Sequence, residues 1–312
     1  MLKMIELEEV IIELSFNCNL SCIMCGFGKD VNPISKEKFL SFDKYKKILE
    51  QIGNKTKAIR LNGRGESTIH PDFIKIVDYT RLKFPHLKII LFSNLSFKKQ
   101  EIIDSFIKYN MQLFISLDSP LKKELEYIRK GANFNFIINN LEKLKKSTVR
   151  PFIIFTIQEI NYNRIYEIAE FALEYNCNIL YNTIRRDEGI DEFISIVKND
   201  IDFISEQFEK GKNLFEKTNL QFLFPDQLAG IRLYNSFAQK THGSLNYCPA
   251  LNKELCILYD GKVTPCNMFN PYKYGNIFEN SLDEIWEGKE RKYFLKNYKS
   301  HYYCKNCANL GM

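Results

Sequence analysis

The chain has 312 residues, with 44 Lys and Arg against 38 Asp and Glu, a net charge of +6. Hydrophobic residues make up 45% and charged residues 26%, which excludes a disordered chain, and so small a charge excess is no footprint of nucleic-acid binding. No apolar run approaches the roughly 18 residues of a membrane-spanning helix. The N-terminus carries Glu6, Glu8 and Glu9 where a signal peptide is basic and then apolar. A cytoplasmic location with no membrane contact is expected.

In chain order, β-rich runs at 9–16, 57–62, 87–93, 112–117, 152–158 and 178–184 alternate with helical patterns at 42–52, 71–83, 98–109, 134–145 and 164–175. Six β/α units in series predict a parallel sheet with right-handed crossovers. That is fewer than the eight units of a closed barrel, so an α/β fold built on an open, partial (β/α)6 TIM-like barrel is expected over 1–187. Residues 191–217 are charged and lack Pro, and they read as a helix within a connector at 188–244. The stretch 222–244 gives no clear pattern. From 245 to 312 the pattern is that of a small α+β region. There Asp260-Gly261 signals a hairpin between strands at 254–260 and 262–266, followed by a short helix at 282–288.

Nine cysteines stand at 18, 22, 25, 177, 248, 256, 266, 304 and 307, and an odd number argues against a disulfide framework. Cys18, Cys22 and Cys25 follow the first predicted strand, at the sheet's C-terminal mouth, where barrel enzymes keep their chemistry. Three thiolates on one short loop can hold three corners of a [4Fe–4S] cube and leave the fourth iron open. The competing reading is a zinc loop completed from elsewhere. Zinc knuckles, however, favour paired CxxC over a CxxxCxxC triplet.

In this triplet the sequence resembles the radical S-adenosylmethionine (SAM) superfamily. The resemblance implies that the open iron chelates the amino and carboxylate groups of SAM. Reductive cleavage then gives a 5′-deoxyadenosyl radical that abstracts hydrogen from a substrate. An electron donor such as flavodoxin or ferredoxin is implied. The segment Asn62-Gly63-Arg64-Gly65-Glu66 resembles the family's Gly-Gly-Glu stretch, with Arg64 at its middle position. It implies that Gly63, Gly65 and Glu66 meet the SAM amino group. Ser93 and Asn94, with Ser116 and Asp118, resemble the segments facing the SAM ribose and carboxylate, although short polar residues at strand ends also cap helices. Arg129 resembles an arginine that reaches the carboxylate; a solvated surface charge is the alternative. Gln158 and Asn161 are weaker candidates at the end of the fifth strand.

In the tail, Cys248 is followed by twelve residues, Gly261, four residues and Cys266, and then by Cys304 and Cys307. With Gly275-Asn276-Ile277, this spacing resembles the opening half of the SPASM domain that follows some radical SAM barrels. The chain ends five residues after Cys307, which implies the shortened "twitch" form with one auxiliary [4Fe–4S] cluster, two clusters in all. Cys256 lies inside an apolar strand and is expected to be buried rather than a ligand. Cys177 is expected in the core. A Cys₄ zinc site is the alternative for the tail set.

A closed auxiliary cluster points to redox use. Dehydrogenation of an alcohol or amino-sugar-like small molecule is therefore the favoured reaction, with Glu159, Arg185 or Arg186 as candidate base. The early position of Cys18 is expected to leave no room for a leader-binding domain ahead of the barrel, which favours a small molecule or a carrier-borne substrate, with a separate leader-binding protein as the alternative. Maturation of a ribosomal peptide or protein side chain, radical epimerisation, and a non-enzymatic zinc-binding module are the alternatives.

Overall fold

The computed structural model describes residues 5–28, 33–183, 199–224, 227–228, 231–232, 248, 250–266, 271–301 and 304. Strands β1 (Leu7–Ile12), β2 (Thr56–Leu61), β3 (Lys88–Ser93), β4 (Gln112–Ser116), β5 (Phe152–Ile157) and β6 (Asn178–Thr183) lie side by side in sequence order, all parallel. Helices α1 (Phe42–Ile52), α2 (Phe73–Lys83), α3 (Gln100–Lys108), α4 (Lys122–Ile128), α5 (Phe134–Lys145) and α6 (Ile165–Glu174) run between them. Helix α4 has only 7 residues, too few for the helical period to show in the sequence.

Alternation along the strands sorts the residues by face. Val10, Ile12, Ile59, Leu61, Ile89 and Leu91 join Ile48 and Ile76 of the helices in one core. Cys177 belongs to the same core, fully buried. The opposite, concave face carries Glu9, Ile11 and Glu13 of β1 and its extension. Ile11, Cys256 and Leu258 form a separate small apolar cluster there.

The connector does more than bridge. Its helix α7 (Ile201–Phe215) packs against α6, and β7 (Phe222–Leu223) then pairs parallel with β6 as a further sheet strand. Tyr181, Phe208 and Phe224 stack this unit together, with ring centroids 5.0 and 5.1 Å apart. Strands β8 (Gln227–Leu228) and β9 (Ile231–Arg232) form a short antiparallel pair.

The tail forms the antiparallel meander β10 (Glu254–Ile257), β11 (Lys262–Thr264) and β12 (Gly275–Asn276), followed by α8 (Leu282–Trp286) and α9 (Lys289–Asn297). The expected turn is present. Gly261 has φ +88, and a Cβ there would lie 2.3 Å from Phe278. Strand β10 also pairs parallel with β1, from Glu9↔Glu254 to Ile12↔Ile257. The tail therefore continues the barrel sheet. No helix among the described residues is long and apolar enough to cross a membrane.

Candidate active site

The three-cysteine loop leaves β1 at the C-terminal edge of the sheet and is tied down on three sides. The buried Asn17 amide clamps Ser35, donating to its carbonyl at 2.8 Å and accepting from its N–H at 2.9 Å. Asn19 donates to the Ser96 carbonyl and accepts from Asn94 Nδ2, both at 2.9 Å, which binds the loop to the end of β3. Ser21 and Ile23 donate backbone hydrogen bonds to Lys130 (2.8 Å) and Ile128 (2.9 Å) at the end of α4. Cys18, Cys22 and Cys25 are each half-buried.

Burial pushes the Cys18 thiol up to about 12, and the Glu66 carboxylate adds to the shift. Burial raises Cys22 as well, and Arg129, whose Nη1 stands 3.8 Å from its sulfur, offsets part of this. Arg129 is itself buried and pairs through Nη2 with the fully buried Asp118 at 2.6 Å. Its Nε and the Oδ1 of Asn62 are buried without a hydrogen-bond partner. Buried thiolates need a cation to compensate them. Among the described residues no three His, Cys, Asp or Glu side chains are close enough for a single ion. Three anchored, half-buried sulfur donors beside orphaned polar groups fit an iron–sulfur cluster held by Cys18, Cys22 and Cys25.

The strand-end residues singled out from sequence lie together and hold one another. Both carboxylate oxygens of Glu66 are occupied. Oε1 accepts from Thr68 N (3.2 Å), Thr68 Oγ1 (2.7 Å) and Ser93 Oγ (2.9 Å), and Oε2 accepts from Asn94 N at 2.8 Å. Gly65 lies so close to the cysteine loop that a Cβ would meet Asn17 O at 2.2 Å and Ser15 O at 2.5 Å. Gly63 packs on Glu13, at 2.3 Å from such a Cβ to Cγ. Asp118 Oδ1 accepts from Thr156 N at 2.9 Å. Asn161 donates to the carbonyls of Asp118 (2.9 Å) and Thr156 (3.0 Å) and accepts from Gln158 N (2.7 Å). Ser116 is half-buried at the end of β4, and Glu159 stands exposed after β5. Arg185, Arg186 and Cys307 lie outside the described residues.

Two charged clusters escaped the sequence reading. Glu13, fully buried, grips Arg64 in a fork: Nε to Oε1 at 2.9 Å, Nη2 to Oε2 at 2.7 Å, and Arg64 N to Oε1 at 2.8 Å. The guanidinium lies 4.0 Å from the Phe16 ring centroid and 6.0 Å from those of Phe27 and Tyr259. On the same concave face, Arg60 pairs with Glu9 and reaches Glu254 at 3.8 Å. Burial and then Glu9 raise the Glu254 carboxyl above its ordinary range, against Arg60. Arg60 also overlies Phe92 at 5.4 Å, the first of a stacked row with Phe114 and Phe152 at 4.5 and 5.1 Å. The available signal was a period of two: Glu9, Ile11 and Glu13 place two acids on one face of an otherwise apolar strand.

In the tail, Cys248, Cys266 and Cys304 are half-buried around Tyr274, whose hydroxyl is orphaned. Cys256 is fully buried and its thiol is pushed up to about 12, chiefly by burial. Three sulfur donors beside an unsatisfied hydroxyl fit a second metal-bearing group.

Residues 12–172 match the model of the Radical SAM superfamily. The chain belongs to the radical SAM superfamily. Residues 248–308 match the SPASM iron–sulfur cluster-binding domain, so this radical SAM enzyme carries a C-terminal SPASM region. Its cofactors are SAM, the radical SAM [4Fe–4S] cluster and auxiliary iron–sulfur. The chain is 24% identical to the tungsten-containing aldehyde ferredoxin oxidoreductase cofactor-modifying protein of Pyrococcus furiosus, over 95% of this chain and 86% of that one. Its fold matches Streptococcus suis SuiB bound to precursor peptide SuiA with TM-score 0.68 at 17% identity, over 98% of this chain and 71% of that one. It matches native anSMEcpe with bound AdoMet and Cp18Cys peptide with TM-score 0.68 at 18% identity, over 96% and 85%.

Proposed function

We propose that this radical SAM enzyme dehydrogenates a hydroxyl-bearing small molecule, amino-sugar-like in its polarity, held against the concave face of the sheet. The pairing of β10 with β1 carries the reading. The two strands are parallel, so the cysteine loop leaves at one end of the sheet. Cys248 and Cys266 flank the hairpin at the other end, about 15–20 Å away at 3.3 Å per strand residue. The inner face between them presents Arg60, two carboxylates and the Phe92–Phe114–Phe152 row.

Two clusters are proposed, one on Cys18, Cys22 and Cys25 and one on Cys248, Cys266, Cys304 and Cys307. The barrel at 1–187, connector at 188–244 and auxiliary region at 245–312 are kept as proposed divisions, although hydrogen bonds of the sheet cross the last boundary. When bound, SAM and the clusters supply a hydrogen-abstracting radical and a sink for the remaining electron. The protein's own part is to orient the carbon and take the hydroxyl proton. The carboxylates on this face suit hydroxyl and ammonium groups. Glu254, with its raised affinity for a proton, suits the base better than the exposed Glu159. The bound SAM is proposed to meet Glu66, Ser93, Asn94, Ser116, Asp118, Arg129, Gln158 and Asn161. The similarity to a cofactor-modifying protein supports a small molecule.

A peptide substrate is the second reading, favoured by the peptides bound to SuiB and anSMEcpe. The test is anaerobic incubation with SAM, dithionite and either small-molecule or peptide fractions. The expected outcome is extra 5′-deoxyadenosine and a product lighter by a pair of hydrogens, from the small-molecule fraction. Stimulation by peptide alone overturns the reading. The Cys18→Ala, Cys22→Ala and Cys25→Ala variants should each form no 5′-deoxyadenosine.

A further inference from the structure

Tyr274 stands directly before β12 and donates its backbone N–H to Val263 O at 2.8 Å, three residues ahead of Cys266. Its ring packs edge-on against Phe294, with centroids 5.8 Å apart. The residue is only 4% exposed, and its hydroxyl has no hydrogen-bond partner. Buried hydroxyls are almost always hydrogen-bonded, so an orphan of this kind points to a missing acceptor. Arg291 and the sulfurs of Cys266, Cys304 and Cys248 are its electrostatic neighbours. A phenol O–H can donate as well as accept, so a sulfur acceptor would satisfy it. Arg291 cannot replace it as an acceptor. Its guanidinium lies 3.5 Å from the Trp286 ring centroid and donates to the carbonyls of Trp286 (3.2 Å) and Leu251 (3.1 Å).

We propose that Tyr274 Oη donates a hydrogen bond to a sulfur of the auxiliary centre and thereby sets how readily that centre takes an electron. Sulfur is the one acceptor class that the three surrounding cysteines bring to this site. A hydrogen bond to a cluster sulfur withdraws electron density and raises the reduction potential, in the way outer-shell donors tune other metal centres. Tyr274 touches neither substrate nor SAM and acts only through the auxiliary centre, so it is a positioning residue. The proposal rests on the assignment of Cys248, Cys266, Cys304 and Cys307 to an auxiliary cluster.

The test is Tyr274→Phe in the full-length holoprotein on a background of Cys18→Ala, Cys22→Ala and Cys25→Ala, which leaves the auxiliary centre alone to be read. The substitution keeps the ring and removes one oxygen, and iron content is measured first. The midpoint potential is then taken by redox titration, and exchangeable protons coupled to the reduced centre are counted by pulsed EPR in light and heavy water. Retained iron, a lower potential and the loss of one exchangeable coupling are expected. Retained iron with unchanged potential and couplings overturns the proposal alone. Loss of iron only on Tyr274→Phe overturns the tuning role, since the residue would then hold the cluster. A parent background without iron overturns the cluster assignment and the proposal with it.

Discussion

Glu66 shows how a single side chain can tie two strand ends together. Its two oxygens accept four hydrogen bonds from Thr68, Ser93 and Asn94 inside a fully buried site. In Glu66→Gln the amide NH₂ must face at least one N–H or hydroxyl that now donates to it. The cost should be about 1–3 kcal/mol, the penalty of an unsatisfied buried group, in addition to any loss of SAM affinity. Urea denaturation of the apo full-length chain reads it directly, and an unchanged midpoint would show that these bonds do not hold the strand ends. Glu254 gives a pH signature. Burial and Glu9 raise its folded-state affinity for a proton above the ordinary value of 4.5. A raised carboxyl contributes stability that is present below its unfolded value and is lost as pH rises through the folded one. Wild type should therefore gain on Glu254→Gln as pH falls from about 7 to about 4. Denaturant midpoints across that range test it, and a constant gap would show that the carboxyl is unperturbed.

At the scale of elements, the Glu13–Arg64 fork joins three of them. Glu13 extends β1 and donates its N–H to Ile257 O of β10 at 2.9 Å, while Arg64 follows β2. Tyr259 N, just after β10, donates to Glu13 Oε2 at 3.3 Å. Arg64→Met leaves a fully buried carboxylate without its cation, which should cost about 3–5 kcal/mol. Adding Glu13→Gln should restore part of that, because the uncompensated charge is gone. A double-mutant cycle on denaturation midpoints measures the coupling. Strict additivity would mean that the fork does not join the elements. Gly65 belongs to the same junction, since the approach of Asn17 O and Ser15 O leaves no room for a Cβ.

For the whole molecule, the consequential feature is that the SPASM segment is sewn into the barrel sheet. Cys256 is a middle residue of β10, opposite Thr264 of β11 and level with Ile11 of β1, and its sulfur shares a small apolar cluster with Ile11 and Leu258. Cys256→Ala should cost about 1 kcal/mol and leave the iron content unchanged. Cys248→Ala should lose the auxiliary iron. Iron counts on the background lacking the first three cysteines separate the two. Iron kept in the Cys248 variant and lost in the Cys256 variant would reverse the ligand assignment.

The sequence alone determined the order of the six barrel strands and of the longer helices between them, the Asp260-Gly261 turn and the buried places of Cys177 and Cys256. Each rests on local pattern: alternation, helical period and turn residues. Residues 184–198 and Cys307 lie outside what the structure describes. Only the tertiary structure decided that β10 pairs with β1, that β7 lengthens the other edge of the sheet, and that Glu13 meets Arg64. These are contacts across about 40 to 250 positions, and no local period encodes which distant strand fills an open edge. The same distance hid the roles of Glu66, Asn94 and Asn161. Their types suit a cofactor as well as a turn, and the partners that occupy their oxygens and amides arrive from other strands. An open parallel sheet leaves unpaired backbone at its β1 edge, and pairing it satisfies those groups. That physical requirement, met by the hairpin of the tail, attaches the segment that carries Cys266 to the sheet whose first strand leads into the Cys18 loop.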